Sequence, residues 1–307
     1  MNEVIIRTEN VSKLYGKAAA VCDLSIQVRR GEIYALVGQN GAGKTTLLKL
    51  VCGLTPPTSG GLELFGQSSP RQLGWARAHI GSMIETPGFF PYLSAEENLE
   101  FYRIQRGAKD GGCVRRALKL VGLDDTGRKK FKSFSLGMKQ RLGLALAVMN
   151  SPEILVLDEP INGLDPVGIR EFREILQSLN REKRTTVLIS SHILGELFQI
   201  ATAYGFISGG RLLEHVSAAD LKERCRSCLR IEADNAEKAA AVLREQCGCP
   251  AVEVLGETEL RVDGNPGDPE RLVRVLVENG VGISQFYRSG ISLEQYFINL
   301  IGGKKVA

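Results

Sequence analysis

The sequence predicts an α/β fold with a second, smaller α+β domain behind it, and three observations carry that prediction. Ile33-Tyr34-Ala35-Leu36-Val37, Ile154-Leu155-Val156-Leu157 and Thr185-Thr186-Val187-Leu188-Ile189 are continuous apolar runs, the character of parallel strands covered on both faces. Helical periodicity follows the first two, in Leu47-Leu48-Lys49-Leu50-Val51 and in the apolar face Phe172, Ile175, Leu176 and Leu179. After about residue 220 the pattern changes to short strands at 229–233, 252–255, 259–263 and 283–287, with helices near 236–246 and 269–279. The expected domains are therefore 1–220 and 221–307.

Between the first apolar run and its helix stands Gly38-Gln39-Asn40-Gly41-Ala42-Gly43-Lys44-Thr45-Thr46. Glycines at 38, 41 and 43 let the chain curl until successive backbone N–H groups face one phosphate cluster. The helix that opens near Lys44 aims its positive end at the same place. Lys44 supplies a point charge for the β- and γ-phosphates, and Thr45 a hydroxyl for Mg²⁺. Strand, glycine turn and helix together define a P-loop, so the main domain is expected to have a P-loop NTPase core.

In chain order, Val4-Ile5-Ile6-Arg7 and Leu24-Ser25-Ile26-Gln27-Val28 read as strands of an antiparallel β layer beside the nucleotide site. Tyr15 falls in the predicted loop between them, placed either to stack on a base or to pack as a partly buried tyrosine. The helix after Lys44 should stop at Gly53, because Thr55-Pro56-Pro57 cannot continue it. A short strand is predicted over 60–66. From about 86 to 150 the periodicity is that of a helical insert, with Ser94 as an N-cap. Asp165-Pro166 reads as N-cap and first helical residue, and a hairpin through Gly209-Gly210 closes the domain. An amphipathic helix over 292–300 precedes a Gly-Gly-Lys-Lys tail.

Composition narrows the functional classes. At 307 residues, 43% hydrophobic and 24% charged, the chain suits a soluble globular protein of two domains. A formal charge of +4, from 39 basic and 35 acidic residues, is too balanced to argue for a nucleic-acid surface. No cleaved signal is expected, and the longest strongly apolar stretch, 142–149, falls far short of the about 20 residues of a membrane span. Any membrane role must pass through a partner. Seven scattered cysteines argue against a disulfide framework. Cys225-x-x-Cys228 has zinc-ligand spacing, but Cys247-x-Cys249 is one residue tighter than the usual knuckle, so free thiols are the preferred reading.

The second apolar run ends in Asp158-Glu159 and the third delivers Ser190-Ser191-His192, both to the sheet edge where ligands bind in such folds. With the P-loop and the segment Phe134-Ser135-Leu136-Gly137-Met138-Lys139-Gln140-Arg141, they resemble the ATPase subunit of ABC transporters over roughly residues 3–220. The family's signature is usually Leu-Ser-Gly-Gly-Gln; Ser135 and Gly137 match, while Phe134, Leu136 and Met138 depart. The departures leave intact the serine hydroxyl and the helix N-terminal N–H groups that the family sets against the γ-phosphate.

The resemblance implies roles residue by residue. Gly38, Asn40, Gly41, Gly43, Lys44, Thr45 and Thr46 would bind nucleotide, with Ser135 and Gly137 supplied by a second copy. Asp158 would hold Mg²⁺ together with Thr45, and Glu159 would act as general base on the attacking water. His192 matches the switch histidine, Tyr15 the adenine-stacking aromatic, and Asp165 the D-loop aspartate, although N-capping explains Asp165 equally well. His79 and His215 are left as structural. Where the family has glutamine, this chain has Glu85, in Ile80-Gly81-Ser82-Met83-Ile84-Glu85-Thr86-Pro87-Gly88. Glu85 keeps an oxygen for Mg²⁺ or water, loses the amide donor and adds negative charge near the triphosphate. It is therefore counted with both the catalytic and the metal-binding residues. With the Ser-Leu-Gly-Met-Lys-Gln signature and a terminal Ser-Leu-Glu-Gln-Tyr-Phe, Glu85 looks like the bacitracin-resistance and lantibiotic-immunity branch.

The implied protein is an ATP-hydrolysing subunit, cytoplasmic and peripheral on the inner face of the cell membrane. It would pair with a second ATPase subunit around two Mg·ATP and power a separate membrane permease that exports a peptide antibiotic, with no nucleic-acid partner. The competing class is a soluble ABC ATPase acting on nucleic acid or ribosomes. Chromosome-type members need a long coiled coil between P-loop and signature, whereas only about 90 residues intervene here, without sustained heptads. The exported compound, the permease and the job of residues 221–307 are not identified by the sequence.

Overall fold

A computed structural model describes residues 3–85, 88–225, 228–249, 251–263 and 268–302. Thr86 and Pro87 of the Glu85 segment, and the Gly303-Lys304-Lys305 part of the tail, lie outside the described residues. The chain divides into two compact units, 1–218 and 219–307. In the first the elements run β1 (Val4–Tyr15), β2 (Ala18–Leu24), β3 (Gln27–Arg29), β4 (Ile33–Val37), α1 (Lys44–Cys52), β5 (Ser59–Leu64), α2 (Pro70–Arg77) and β6 (Ile80–Met83). They continue with α3 (Ala95–Gln105), α4 (Cys113–Leu120), α5 (Leu136–Val148), β7 (Ile154–Asp158), α6 (Pro166–Lys183), β8 (Thr186–Ser191), α7 (Leu194–Leu197), β9 (Ala203–Ser208) and β10 (Arg211–Ser217).

The main sheet has the order β10-β9-β4-β8-β7-β6, parallel from β9 to β6 with β10 antiparallel at one edge. Every residue of β4 and β8 is buried, as are Ile154 to Leu157 of β7, which is why these strands read as unbroken apolar runs rather than alternating ones. Tyr34 at the centre of β4 buries its ring completely and meets His215 Nδ1 through its hydroxyl at 3.1 Å. That contact satisfies the phenol hydroxyl, which burial would otherwise strand, and burial pushes the phenol pKa well above its ordinary value. His215 is thus a packing residue, stacked on Tyr34.

A second, antiparallel sheet has the order β2-β1-β3, with β5 also on β1. Here two sequence expectations need correction. The strand predicted over 4–7 runs on to Tyr15, so Tyr15 ends a strand instead of lying in a loop. Long-range pairing makes the difference: β1 pairs β3 over Val4–Arg7, β5 from Ile6 to Ser12 and β2 from Val11 to Tyr15, with register shifts between Val11 and Leu14 that hide any simple alternation. The run 24–28, read as one strand, breaks at Ser25-Ile26, because β2 and β3 pair with different halves of β1 and Asp23 turns the chain at φ 45°.

Helix boundaries follow local chemistry. Gly53 closes α1 in the left-handed conformation at φ 73°. Ser94 and Glu97 form a reciprocal capping box on α3, and Asp165 accepts from Gly168 N at 2.9 Å ahead of Pro166.

The boundary falls at the first residue of α8 (Ala218–Arg224), and the second unit continues with β11 (Cys228–Ala233), α9 (Ala236–Glu245), β12 (Val252–Val254), β13 (Glu259–Asp263), α10 (Pro269–Glu278), β14 (Ile283–Ser289) and α11 (Leu293–Ile301). Its antiparallel sheet has the order β12-β13-β11-β14. Leu229, Ile231, Leu260 and Val262 on one face of that sheet share a core with Ala239, Leu243, Leu272 and Leu276 from α9 and α10. The cysteines are free thiols, and among the described residues no group of three or more His, Cys, Asp or Glu is placed to hold a metal. No described helix is long and apolar enough to cross a membrane.

Candidate functional site

Parallel pairing brings four strand ends to one edge: β4, β8, β7 and β6 are neighbours in register, Val37 beside Ser191, Asp158 beside Ser190 and Met83 beside Leu157. Whatever follows those strands must meet above the sheet. After β4 comes the glycine loop, after β7 Glu159, after β8 His192, and after β6 Glu85.

The loop needs its glycines for space. Gly43 sits at φ 104°, and a Cβ there would stand 2.4 Å from the Ala20 carbonyl oxygen. A Cβ on Gly38 would meet the Ile207 oxygen at 2.5 Å. The β9–β10 turn braces the loop from behind, since Gly210 N donates to the Ala42 carbonyl at 3.0 Å and Gly210 O accepts from Cys22 N at 2.8 Å. In the sequence Gly209-Gly210 shows only as a closing hairpin; its contact with the loop is set by tertiary packing.

Lys44, the first residue of α1, is buried and its Nζ donates to the Gly38 carbonyl at 2.8 Å and the Gln39 carbonyl at 3.1 Å. The same ammonium lies 3.1 Å from Glu159 Oε1. His192 Nδ1 contacts the other oxygen, Glu159 Oε2. One carboxylate therefore joins the loop lysine to the β8 histidine. Glu159 itself holds φ 46°, a conformation that persists in a non-glycine residue only where the surroundings fix it.

Thr45 Oγ1 donates to Asp158 Oδ2 at 2.8 Å. Asp158 Oδ1 accepts from Ser190 Oγ at 2.7 Å, and Ser190 Oγ accepts in turn from Glu159 N at 2.9 Å. Ser190 is a site residue that sequence reading passed over; its only signal was its position on the strand that delivers His192. Lys49 was also passed over. One helical turn beyond Thr45 on the same face of α1, its Nζ donates to Glu85 Oε1 at 2.6 Å. That bond to Glu85 is the main cause that raises the Lys49 pKa, with Tyr15 and Asp158 adding to it.

Ala20, Asn40, Gly41, Gly43, Lys44, Thr45, Thr46 and Glu159 line a cleft of about 170 Å³. The donor set fits a triphosphate and a hard divalent cation: an ammonium and helix N-terminal N–H groups for anionic oxygens, and a hydroxyl beside a carboxylate for Mg²⁺. Tyr15 is half exposed, with Lys13 Nζ 5.3 Å from its ring centroid. Ser135 is exposed at the N-cap of α5, where its hydroxyl accepts from Met138 N at 3.3 Å. Ser135, Gly137 and Asp165 line a separate cleft of about 560 Å³ that shares no lining residue with the P-loop cleft. The structure thus gathers Lys44, Thr45, Asp158, Glu159 and His192, sets Glu85 on Lys49, and leaves the signature apart.

A parallel sheet with a P-loop at its switch point, a carboxylate pair on the next strand but one and a signature helix defines an ATP-binding cassette ATPase. The chain belongs to the ABC transporter family, whose ABC transporter description matches residues 21–162, and within it to the ATP-binding subunits. It is 40% identical over 299 residues to the bacitracin transport ATP-binding protein BcrA of Bacillus licheniformis, covering 97% of this chain and 98% of that one. BcrA of Enterococcus faecalis is 41% identical over 305 residues, covering 99% of each chain. The lantibiotic transport ATP-binding protein SrtF of Streptococcus pyogenes is 40% identical over 225 residues, 71% of this chain and 95% of that one. Among solved structures, a dimeric post-hydrolysis ATP-binding cassette bound to ADP and Pi aligns at a TM-score of 0.63 with 25% identity, over 70% of this chain and 99% of that one. The chain is an ATPase, and ATP and Mg²⁺ are the substrate and cofactor of its class.

Proposed function

We propose that the chain drives a separate membrane permease that exports a peptide antibiotic of the bacitracin or lantibiotic kind, working as a pair of copies around two Mg·ATP. The observation behind the pairing is the separation of the P-loop cleft from the cleft at Ser135 and Gly137. A signature that does not line its own chain's P-loop is placed to serve another's. Support for the cargo lies in the relatives called bacitracin transport proteins, whose similarity extends through the second unit as well.

In this reading Lys44 exchanges Glu159 for the β- and γ-phosphates, and the N–H groups of the loop and the α1 N-terminus take the remaining oxygens. Asp158 and Thr45 would hold Mg²⁺, which when bound would supply charge neutralisation at the transferring phosphoryl group. Ser190 fixes both the Asp158 carboxylate and the Glu159 backbone. Once clear of Lys44, Glu159 accepts the proton of the attacking water. Once Glu159 turns to the attacking water, the His192 ring is released from it and would donate its N–H to the γ-phosphate. Tyr15 stacks on the base, Asn40 and Thr46 close the phosphate cradle, Asp165 orders the signature side, and Glu85 contributes an oxygen toward metal or water. The chain would sit on the inner face of the membrane through its permease.

The test is export with a clean control. Bacitracin and lantibiotic susceptibility is measured in a sensitive host carrying the chain with its neighbouring permease gene, beside the Glu159→Gln variant. Resistance from the native chain alone, with permease co-purifying, supports the reading. Equal susceptibility for both chains, or co-purification with nucleic acid in place of a permease, defeats it.

A further inference from the structure

Two successive turns of α1 hold two adjacent strand ends. Thr45 Oγ1 binds Asp158 at the end of β7 at 2.8 Å, and Lys49 Nζ binds Glu85 beyond β6 at 2.6 Å. β6 and β7 are parallel neighbours, Met83 beside Leu157, and residues four apart on a helix lie one above the other. The spacing of the helix therefore matches the spacing of the sheet, and Lys49 meets Glu85 as Thr45 meets Asp158.

The edge carries three carboxylates, and each is engaged differently. Glu159 meets Lys44 and His192, Asp158 meets two hydroxyls, and Glu85 meets Lys49. Glu85 is also mostly exposed and held at φ 59°. A carboxylate that is both exposed and backbone-strained keeps one place only if something holds it. Lys49 is the partner the structure provides.

We propose that Lys49 is a positioning residue for Glu85: its ammonium competes with the divalent cation for the Glu85 carboxylate, so that Glu85 turns to the metal only when Mg·nucleotide displaces the ion pair. This rests on the nucleotide-site reading above and adds to it a residue acting through Glu85. The Lys49–Glu85 pair presents no net charge to the triphosphate, which is how a carboxylate is tolerated at that place.

The test uses Mn²⁺ as the probe, with free Mn²⁺ followed by electron paramagnetic resonance in the presence of a non-hydrolysable ATP analogue. Lys49→Met, Lys49→Arg, Glu85→Gln and Lys49→Met/Glu85→Gln are compared with the native full chain, and unfolding midpoints confirm that each is folded. Lys49→Met should tighten Mn²⁺ binding about threefold, the order expected for one partly exposed charge pair. Lys49→Arg should bind as the native chain does, and Lys49→Met should change nothing in the Glu85→Gln background. The same factor in both backgrounds means that Lys49 acts directly on metal or nucleotide, and overturns the inference. No tightening in the native background overturns it too. A native chain that binds neither analogue nor Mn²⁺ defeats the nucleotide-site reading itself, and this inference with it.

Discussion

Replacing Glu159 by Gln separates what this carboxylate does before and after nucleotide arrives. Its Oε1 lies 3.1 Å from the Lys44 ammonium, occupying the charge that the phosphates need. A hydrogen bond to a charged group is worth about 1.5–3 kcal/mol net, and a neutral one about 0.5–1.5 kcal/mol. An amide oxygen at 159 still accepts from the ammonium but no longer offers it an opposite charge, so about 1–1.5 kcal/mol less opposes nucleotide entry. ATP should then bind roughly five- to fifteen-fold more tightly, while removal of the base lowers turnover by about 10²–10⁴. A fluorescent ATP analogue titrated into both chains measures the first, and phosphate release the second. On gel filtration under saturating Mg·ATP the variant should accumulate a dimer. Weaker or unchanged nucleotide binding would refute the idea that Glu159 competes with the phosphates for Lys44, and a persistent monomer would count against the paired assembly.

Other substitutions probe neighbouring contacts. Ser190→Ala removes hydrogen bonds to Asp158 and to Glu159 N; a loss of about 1–3 kcal/mol in chemical unfolding, with a higher Mg²⁺ requirement for phosphate release, is expected. Gly43→Ala drives a Cβ to 2.4 Å from the Ala20 oxygen at φ 104°, so nucleotide binding should be abolished in equilibrium dialysis even where the chain still folds. Tyr15→Ala should weaken ATP by about 1–3 kcal/mol in the same dialysis, whereas Tyr15→Phe, which keeps the ring, should not. The Ser94 N–H holds the Glu97 carboxylate below its usual range, with Lys130 assisting. A depressed folded-state value means stability present above the ordinary carboxylate pKa and lost as pH falls through the lower one. The protection factors of the first-turn amides of α3, taken relative to intrinsic exchange at each pH, should therefore fall on acidification in the native chain and lack this pH dependence in Glu97→Gln.

The glycine loop, the paired carboxylates after an apolar run, the caps at Ser94 and Asp165 and the stop at Gly53 were legible because each depends on residues within one turn or one strand of itself. Backbone sterics, missing N–H groups and local capping dictate them wherever they occur. The fully buried strands were legible too, since a strand covered on both faces must be apolar throughout.

What the sequence could not determine is everything that required two distant segments to meet. β1 runs to Tyr15 because β2, β3 and β5 pair with it, not because residues 8–15 have strand character of their own. Ser190 and Lys49 carry no motif; only the parallel register that sets Ser190 beside Asp158, and the helix rise that sets Lys49 a turn beyond Thr45, give them partners. Glu85 read as an oxygen for metal, and tertiary packing set it on a lysine. Local sequence specified the chemical groups and the turns that expose them. Sheet register decided which groups meet, because a hydrogen-bonded partner is chosen by position in three dimensions and leaves no periodic trace in the chain.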